Sequence, residues 1–537
     1  MRAETLAKLQ SNELFDLLII GGGATGCGIA VDAATRGLKV ALVERYDFAE
    51  GTSSRSTKLV HGGVRYLEAA VKKLDRGQYD LVRHALHERG ALLRNAPHLS
   101  RPLPLITPVY SWLQVPYLYA GLKLYDILSG KMNIGHSKII SAKKAKARFP
   151  MLRSKGLKAV VQYYDGQFVD CRMCVTLAMT AQRAGAVMAN HIAVTSLTHE
   201  AGKITGANVE DALTGAAFAI RAKKVVNATG PFADTIRRMD HADAKPILKG
   251  SSGIHILLDS SFVPPDEGLL IPQTDDGRVV FILPWQGQAL VGTTDTSCEV
   301  VDHPTVSEED IAYLLDYVKR YFDINVTRAD VKSAWSGIRP LVFNPEAKDT
   351  AELARDHVII EDGSGLITIS GGKWTTYRHM AEEAVDKVVS GGAFAGLKPC
   401  LTHDMKLLGA ENYVPEGAQA LAREFGLPPD VARHLHHSYG DRAPVVAGIA
   451  RDEGCATRLA EAHPYIEAEV LYAMRHEAAL RVADVLCRRM TLTHVDSRAA
   501  DAAIARVADL MAREAGWDAP RLAAEIALAE QRTQIAL

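Results

Sequence analysis

Hydrophobic and polar positions divide the chain into two regions with different patterns. Up to about residue 395, short apolar runs that suit buried strands alternate with stretches compatible with helices. From about residue 400 the sequence is rich in Ala, Arg and Glu, and its apolar residues recur at helical spacing. The pattern predicts an α/β region followed by an all-α C-terminal domain over residues 400–537.

The first apolar run, FDLLII, leads directly into the turn GGGATG, which has GxGxxG spacing. A helix-compatible stretch and a second apolar run ending in Glu44 follow. In such a unit Gly21 permits a tight turn, Gly23 lets a pyrophosphate approach the backbone, and Gly26 lets the helix pack on the sheet. Glu44 lies where a carboxylate can accept hydrogen bonds from an adenosine ribose. This part of the chain is predicted to bind a dinucleotide, either FAD or NAD.

Two later turns favour FAD. One apolar run ends at Ala228, Thr229 and Gly230, and another ends at Gly372, before Lys373 and Thr375. A second helix N-terminus at the cofactor would stabilise the negative charge of a reduced flavin. Ordinary strand-to-helix turns are the alternative interpretation of these two segments.

A loop rich in hydroxyl groups and glycine follows the second apolar run. Such a loop can wrap a pyrophosphate and a flavin, or it can be a solvated linker. Its predicted cofactor-binding residues are Thr52, Ser53, Ser54, Ser56, Lys58, His61, Gly62 and Gly63.

Composition excludes several classes of protein. The 62 Lys and Arg residues balance 63 Asp and Glu residues, so no overall field draws the chain onto nucleic acid. Seven cysteines form no disulfide framework, which favours a reducing compartment, and the pair Cys171 and Cys174 lies in a helical pattern without a zinc-site partner. We predict no metal ion, no secretory or transit signal and no membrane-spanning helix.

Several segments together carry a family resemblance. With the glycine turn, the segments SSRSTK, HGGVRYL, NATGP, GTTD, WSGIRPL and GGKWTTYR make the chain similar to the FAD-dependent glycerol-3-phosphate dehydrogenases over nearly its whole length. It most resembles the branch that includes the mitochondrial enzyme. The resemblance implies a Rossmann-like FAD-binding domain interleaved with an α+β substrate domain, as in D-amino-acid-oxidase-like flavoproteins. We predict FAD-binding parts at 14–75, 165–245 and 335–395, and substrate-domain parts at 76–164 and 246–334.

The resemblance also implies the reaction. It is oxidation of sn-glycerol 3-phosphate to dihydroxyacetone phosphate, with hydride transfer to FAD and electrons passed to a membrane quinone. A phosphate dianion needs forked cationic groups, and the secondary alcohol needs a base. The predicted substrate-binding residues are Arg65, Tyr66, His255, Arg339 and Arg355, and the predicted catalytic residues are His255, Arg339 and Lys373. Surface ion pairs for the arginines and a core position for His255 are the alternatives.

A basic segment suggests contact with an anionic membrane surface. Residues 127–164 contain no Asp or Glu but many Lys and Arg residues, and an apolar, aromatic stretch with Trp112 precedes them. A solvated basic face is the alternative. We therefore predict a cytoplasmic protein that is peripheral on the inner face of the cytoplasmic membrane, with a homodimer left open.

Other functions remain open from the sequence. The nearest are an oxidase that passes electrons to dioxygen and a dehydrogenase for another polyol phosphate such as erythritol phosphate. A flavin-bound regulatory protein without turnover is the alternative from a different class.

Overall fold

The protein is described by a computed structural model that covers residues 2–63, 67, 76–272, 274–343, 357–392 and 394–534. Its strands are β1 Leu14–Ile20, β2 Val40–Val43, β3 Leu59–Val60, β4 Ser100–Val109, β5 Lys138–Ser141, β6 Ala159–Phe168, β7 Val187–Ala189, β8 Ile192–Glu200, β9 Lys203–Asp211, β10 Ala217–Asn227, β11 Leu248–Leu258, β12 Gly268–Ile271, β13 Val280–Trp285, β14 Gln288–Gly292, β15 Thr296–Ser297, β16 Ser333–Val342, β17 His357–Glu361 and β18 Leu366–Gly371. Its helices are α1 Arg2–Gln10, α2 Ala24–Arg36, α3 Arg76–Asn95, α4 Gln114–Ser129, α5 Ala142–Arg148, α6 Asp170–Arg183, α7 Ala233–Asp240, α8 Glu308–Tyr321, α9 Tyr377–Val389, α10 Ala418–Phe425, α11 Pro429–Tyr439, α12 Ala443–Asp452, α13 Glu467–His476, α14 Val482–Asp484, α15 Leu492–Val495, α16 Ser497–Ala515 and α17 Ala519–Gln534.

The first sheet has the strand order β17-β18-β10-β1-β2-β7, with β9 and β8 added beside β10. Strand β1 is parallel to both β10 and β2, and its central residues Leu17, Leu18 and Ile19 are fully buried. Helices α6 and α9 pack against α2 over this sheet. Parallel strands covered by helices explain why β1 is continuously apolar from Leu17 to Ile20, and the predicted Rossmann-like fold is confirmed.

The second sheet has the order β15-β11-β14-β13-β12-β4-β6-β3, with β16 paired to β11 and β5 paired to β6. Strands β11 and β16 pair antiparallel from Leu248 opposite Val342 to Leu257 opposite Ser333. Helix α8 contributes buried Ile311, Leu314 and Val318 to the core under this sheet. Strands β3 and β16 belong here, although the sequence analysis assigned 14–75 and most of β16 to the FAD-binding part. The domain division as a whole stays a prediction.

The C-terminal region is helical, as predicted, and is formed by α10 to α17. Buried ion pairs join it to the first sheet region: Asp47 accepts from Arg488 and Arg489, and Arg172 of α6 binds Glu477. Within the described residues, no helix combines the length and the apolar character that crossing a membrane requires.

Candidate functional site

The glycine turn between β1 and α2 is tightly enclosed. Gly21 has a φ of 111°, and a Cβ there would lie 2.7 Å from the carbonyl oxygen of Ala228. A Cβ at Gly26 would lie 1.9 Å from the carbonyl oxygen of Gly21, so the helix approaches the turn at a distance that only glycine allows. Gly23 is the N-cap of α2, and it has no side chain that could cap this helix end. The turn therefore forms the cradle that a pyrophosphate needs at a helix N-terminus.

Glu44 directly follows the second strand and binds the same turn. Its carboxylate accepts hydrogen bonds from the N–H of Gly22 at 2.6 Å and the N–H of Tyr46 at 3.0 Å. Burial raises the pKa of the Glu44 carboxyl, although these two N–H donors oppose the shift. Glu44 thus lies at the edge of the nucleotide cradle, and its contact with a ribose stays a prediction.

The loop after β2 is ordered and holds three parts of the site together. Ser53 Oγ accepts a hydrogen bond from the first N–H of α2 at 2.9 Å. Thr52 Oγ1 donates to the carbonyl of Ile338 in β16 at 2.6 Å, and the N–H of His61 donates to Thr375 Oγ1 at 3.0 Å. These contacts exclude the solvated-linker interpretation for this loop.

Two polar side chains of this loop bind an acidic residue that the sequence analysis missed. Lys58 is fully buried, and its ammonium group donates to Asp170 at 2.7 and 2.8 Å and to the carbonyl of Ser54 at 2.6 Å. Ser56 Oγ donates to the same carboxylate at 2.7 Å. The side chains of Lys58 and Ser56 thus bind protein groups, and Ser54 binds Lys58 through its carbonyl. The predicted contacts of these three residues with the cofactor stay predictions.

The remaining predicted cofactor segments meet the glycine turn at the carboxyl ends of β1, β10 and β18. Ala228 contacts Gly21, and Ser370 Oγ donates to the carbonyl of Gly230 at 2.9 Å. Thr229 follows Ala228 directly. Gly372 has a φ of 69°, a conformation that favours glycine. Ligands of open α/β sheets bind outside the carboxyl ends of the strands, so these residues fit a dinucleotide such as FAD.

Gly62, which directly follows His61, lies next to helices α3 and α4. The N–H of Gly62 donates to the hydroxyl of Tyr125 at 2.6 Å, and Gly63 has a φ of 84°. A Cβ at Gly62 would lie 2.6 Å from the side chain of Leu86, so the backbone here packs closely against α3. The close neighbours of this backbone in the structure are protein side chains, Leu86 and Tyr125. Contact of Gly62 and Gly63 with the cofactor stays a prediction.

His255 lies on β11, directly opposite Trp335 of β16. Its ring stacks on the Trp335 indole with centroids 5.5 Å apart, and its Nε2 lies 2.9 Å from Thr57 Oγ1. Burial lowers the pKa of the imidazole well below its usual value, and the charges of Arg339 and Lys58 lower it further. His255 is therefore neutral near pH 7, as a group that accepts a proton must be.

Arg339 extends from the neighbouring strand β16, at the position opposite Ser251. Its guanidinium contacts the Asp295 carboxylate at 3.2 Å and Thr293 Oγ1 at 3.0 Å. A Cβ at Gly253 would lie 2.2 Å from a guanidinium nitrogen, so glycine leaves the space that this side chain occupies. The side chain remains 24 % exposed, which makes it accessible to a small anion.

Of the other predicted catalytic and substrate-binding residues, the structure describes only Lys373. Lys373 follows Gly372, and its ammonium nitrogen is buried. Arg65, Tyr66 and Arg355 lie outside the described residues.

Sequence reasoning missed Thr57 and Trp335, which contact His255, and Asp295, which contacts Arg339. It also missed Asp170, which pairs with Lys58, and His494, which contacts Trp335. The segments GTTD and WSGIRPL contain Asp295 and Trp335, so the resemblance marked their neighbourhood. It did not mark which atoms they contact.

Comparison with known proteins assigns the chain to a family. Residues 16–378 match the family model described as FAD dependent oxidoreductase. Residues 400–522 match the model described as C-terminal domain of alpha-glycerophosphate oxidase. The FAD prediction is confirmed by the first match.

Individual relatives are similar over almost the whole chain. The mitochondrial glycerol-3-phosphate dehydrogenase of Arabidopsis thaliana is 47% identical over 97% of this chain and 86% of the relative. The mitochondrial enzyme of Homo sapiens is 48% identical over 96% of this chain and 73% of the relative. The names of these relatives assign them to mitochondria, which overturns the predicted location on the inner face of a cytoplasmic membrane.

Solved structures show the same relationship. The structure of the glycerol-3-phosphate dehydrogenase from Bacillus halodurans, complexed with FAD, matches with a TM-score of 0.81 and 30% identity. It covers 100% of this chain and 97% of that one. The L-alpha-glycerophosphate oxidase of Mycoplasma pneumoniae, at 18% identity and a TM-score of 0.55 over 74% of this chain and 99% of that one, shares the fold. From its sequence and its fold, the chain belongs to the family of FAD-dependent glycerol-3-phosphate dehydrogenases.

Proposed function

We propose that this protein oxidises sn-glycerol 3-phosphate to dihydroxyacetone phosphate and passes the electrons through FAD to a membrane quinone. The observation that carries the proposal is the pairing of β11 with β16, which sets a neutral, buried His255 near the guanidinium of Arg339. The hydrogen bond from Thr52 to Ile338 ties these strands to the dinucleotide cradle. FAD, when bound, supplies the two-electron acceptor for the hydride that leaves carbon 2.

Arg339 is proposed to bind the phosphate of the substrate. A guanidinium presents parallel N–H donors that match two phosphate oxygens. Asp295 and Thr293 hold this guanidinium in one orientation, which reduces the entropy lost when the substrate binds. Arg65, Arg355 and Tyr66 are proposed to complete the phosphate site.

His255 is proposed to accept the proton of the secondary hydroxyl. Its lowered pKa keeps the imidazole unprotonated before the substrate arrives. A phosphate dianion bound nearby opposes the positive charges of Arg339 and Lys58, and therefore raises the pKa of His255 toward the range of an effective base. Substrate binding and basicity are in this way coupled. Lys373 is proposed to donate a hydrogen bond to a substrate or flavin oxygen.

Anaerobic flavin reduction tests the activity. The purified holoprotein is mixed with glycerol 3-phosphate, erythritol phosphate or NADH, and the oxidised flavin band is followed. Loss of the band with glycerol 3-phosphate supports the proposal, whereas bleaching by erythritol phosphate alone or by NADH alone contradicts it. Reoxidation is then measured with a soluble quinone and with dioxygen, and faster reoxidation by dioxygen would identify an oxidase.

Membrane contact is proposed to occur through the apolar surface around α4. Trp112, Leu113, Tyr117 and Ile127 are 64%, 86%, 51% and 72% exposed. The lysines of the basic segment, including those of α5, are mostly exposed, and each adds about 1 kcal/mol of attraction near an anionic surface. An aromatic and aliphatic surface beside lysines is typical of proteins that lie on a bilayer.

Vesicle sedimentation tests this surface. The protein is expected to sediment with vesicles that contain anionic lipid, and replacing Trp112 and Leu113 by serine should release it. Val414→Ser is a matched control, because Val414 is also an exposed apolar residue, at 58%, in the C-terminal region. Equal binding by both variants would contradict the proposal. The sequence left a homodimer open, and sedimentation of the same samples without lipid tests for it.

A further inference from the structure

The short helix α15 of the C-terminal region brings His494 to the back of the proposed substrate site. The His494 ring meets the Trp335 indole edge to face, with centroids 5.0 Å apart and planes at 80°. The same indole stacks on His255 at 5.5 Å, with planes at 18°. One aromatic side chain of β16 therefore contacts both imidazoles.

Hydrogen bonds from two serine hydroxyls to backbone carbonyls hold α15 against the beginning of β16. The hydroxyl of Ser333 donates a hydrogen bond to the carbonyl of His494. The hydroxyl of Ser497, at the start of α16, donates to the carbonyl of Lys332 at 2.9 Å. These two bonds fix the position of His494 relative to Trp335, so the contact between the two rings is supported by the surrounding backbone.

The three rings are held mainly by packing. His494, Trp335 and His255 are 8%, 4% and 2% exposed. Across the described part of the chain, His494 Nδ1, Trp335 Nε1 and His255 Nδ1 have no hydrogen-bond partner. In a close-packed interior, the orientation of a ring without such bonds is set by the atoms that surround it. Trp335 is thus oriented by its neighbours, and His255 by Trp335 together with Thr57.

We propose that His494 is a positioning residue: its ring fixes the Trp335 indole, and the indole fixes the plane of the His255 imidazole. The proposal rests on the proposed function, in which His255 accepts the hydroxyl proton. It makes the C-terminal region part of the substrate site, although His494 itself touches neither of the groups that the reaction changes.

Charged groups face these imidazoles from several elements. Lys58, Arg55 and Arg488 face His494, while Arg339 and Lys58 face His255. Lys58 is also paired with Asp170, and its ammonium nitrogen lies 5.0 Å from the centroid of Trp335. Burial, and then the charges of Arg339 and Lys58, disfavour a positive charge on His255, so water that reaches the space behind Trp335 would ease its protonation.

Three variants of the holoprotein test the proposal: His494→Ala, His494→Leu and His494→Phe. The rate of anaerobic flavin reduction by glycerol 3-phosphate is measured across pH for each. His494→Phe keeps a ring at the contact and is expected to react at the rate of the unmodified protein. His494→Ala removes the ring and should slow reduction by roughly tenfold to a hundredfold, since misplacing a reacting group by about 1 Å costs up to about 10²-fold.

The pH profile separates positioning from simple loss of stability. Reduction requires neutral His255, so the rate falls on the acid side of its pKa. Opening a cavity beside Trp335 should raise that pKa, and the acid limb of His494→Ala should move to higher pH. His434→Ala is the matched control, because His434 is a partly buried histidine of the same region that packs against Tyr465. Its profile is expected to be unchanged.

Each outcome decides the proposal. An alanine variant with the rate and profile of the unmodified protein overturns it, and so does a phenylalanine variant as slow as the alanine variant. If His494→Ala does not retain FAD, the comparison of leucine with phenylalanine decides, because leucine fills the space without an aromatic ring. A protein that glycerol 3-phosphate does not reduce at all refutes the proposed function instead.

Discussion

Asp170→Asn removes the carboxylate charge that pairs with a fully buried ammonium group. Lys58 and Asp170 are both 0% exposed, and the ammonium group lies 5.0 and 5.3 Å from the rings of Trp335 and Trp285. Asparagine has nearly the same shape, but it leaves the Lys58 charge in an apolar environment without its counter-ion. It also replaces by an NH2 group one of the two carboxylate oxygens of Asp170, a residue whose Oδ2 accepts from both the hydroxyl and the N–H of Ser56.

The expected loss of stability follows from the burial of the Lys58–Asp170 ion pair. Removing one partner of a buried ion pair costs about 3–5 kcal/mol, because the other charge is left uncompensated. If the two-sheet region of about 400 residues melts as one unit, its unfolding entropy converts this loss into a fall in Tm of roughly 4–6 °C. Replacing both residues together, Lys58→Met with Asp170→Leu, should recover most of the loss, since no isolated charge remains.

Calorimetry of the holoprotein measures the fall in Tm, and flavin fluorescence measures the release of FAD. The single variant is expected to melt earlier and to release FAD at a lower temperature, because Ser53 and Thr52 lie on the loop that Lys58 anchors. A Tm within about 1 °C of the unmodified protein would refute the reasoning. A double variant as unstable as the single one would show that shape, and not the uncompensated charge, is responsible.

Three further predictions concern the substrate site and the pH dependence of stability. Arg339→Ala should raise KM for glycerol 3-phosphate by roughly tenfold to a hundredfold, the cost of a lost charged hydrogen bond, while FAD content is retained. Equal loss of flavin would mean that the side chain serves the cofactor. Gly253→Ala should also raise KM, because its Cβ would lie 2.2 Å from the Arg339 guanidinium, whereas Gly363→Ala, with no atom within 4 Å, is the matched control. Equal KM values in the two variants would contradict this. Burial, and then the charge of Arg172, lowers the pKa of His98 from 6.5 to about 3. Between these values the unfolded chain binds more protons than the native one, so stability should fall as pH falls through this window, and less so in His98→Gln. Denaturation midpoints of the unmodified protein and of His98→Gln, measured at about pH 7 and about pH 5, test this prediction. The same loss of stability between the two pH values in both proteins would contradict it.

Long-range partners explain why some parts of the site could not be predicted. Asp170 follows Lys58 by 112 residues, and Asp295 precedes Arg339 by 44. The residue types in these pairs are common on protein surfaces, so nothing in their local sequence distinguishes a buried ion pair from a solvated charge. The assignment of β16 to the second sheet depends in the same way on its register with β11.

The sequence by itself determined the glycine turn, the FAD cofactor, the helical C-terminal region and the family. Such features can be predicted because backbone conformation and the close packing of neighbouring segments restrict which residue types are possible at particular positions. Gly21 and Gly26 are examples, since a Cβ at either position would clash with backbone atoms. Only the tertiary structure decided that Thr57 and Trp335 surround His255, that Asp295 orients Arg339, and that His494 reaches the back of the site. These contacts arise from strand register and domain packing, in which each residue's partner is set by the whole chain.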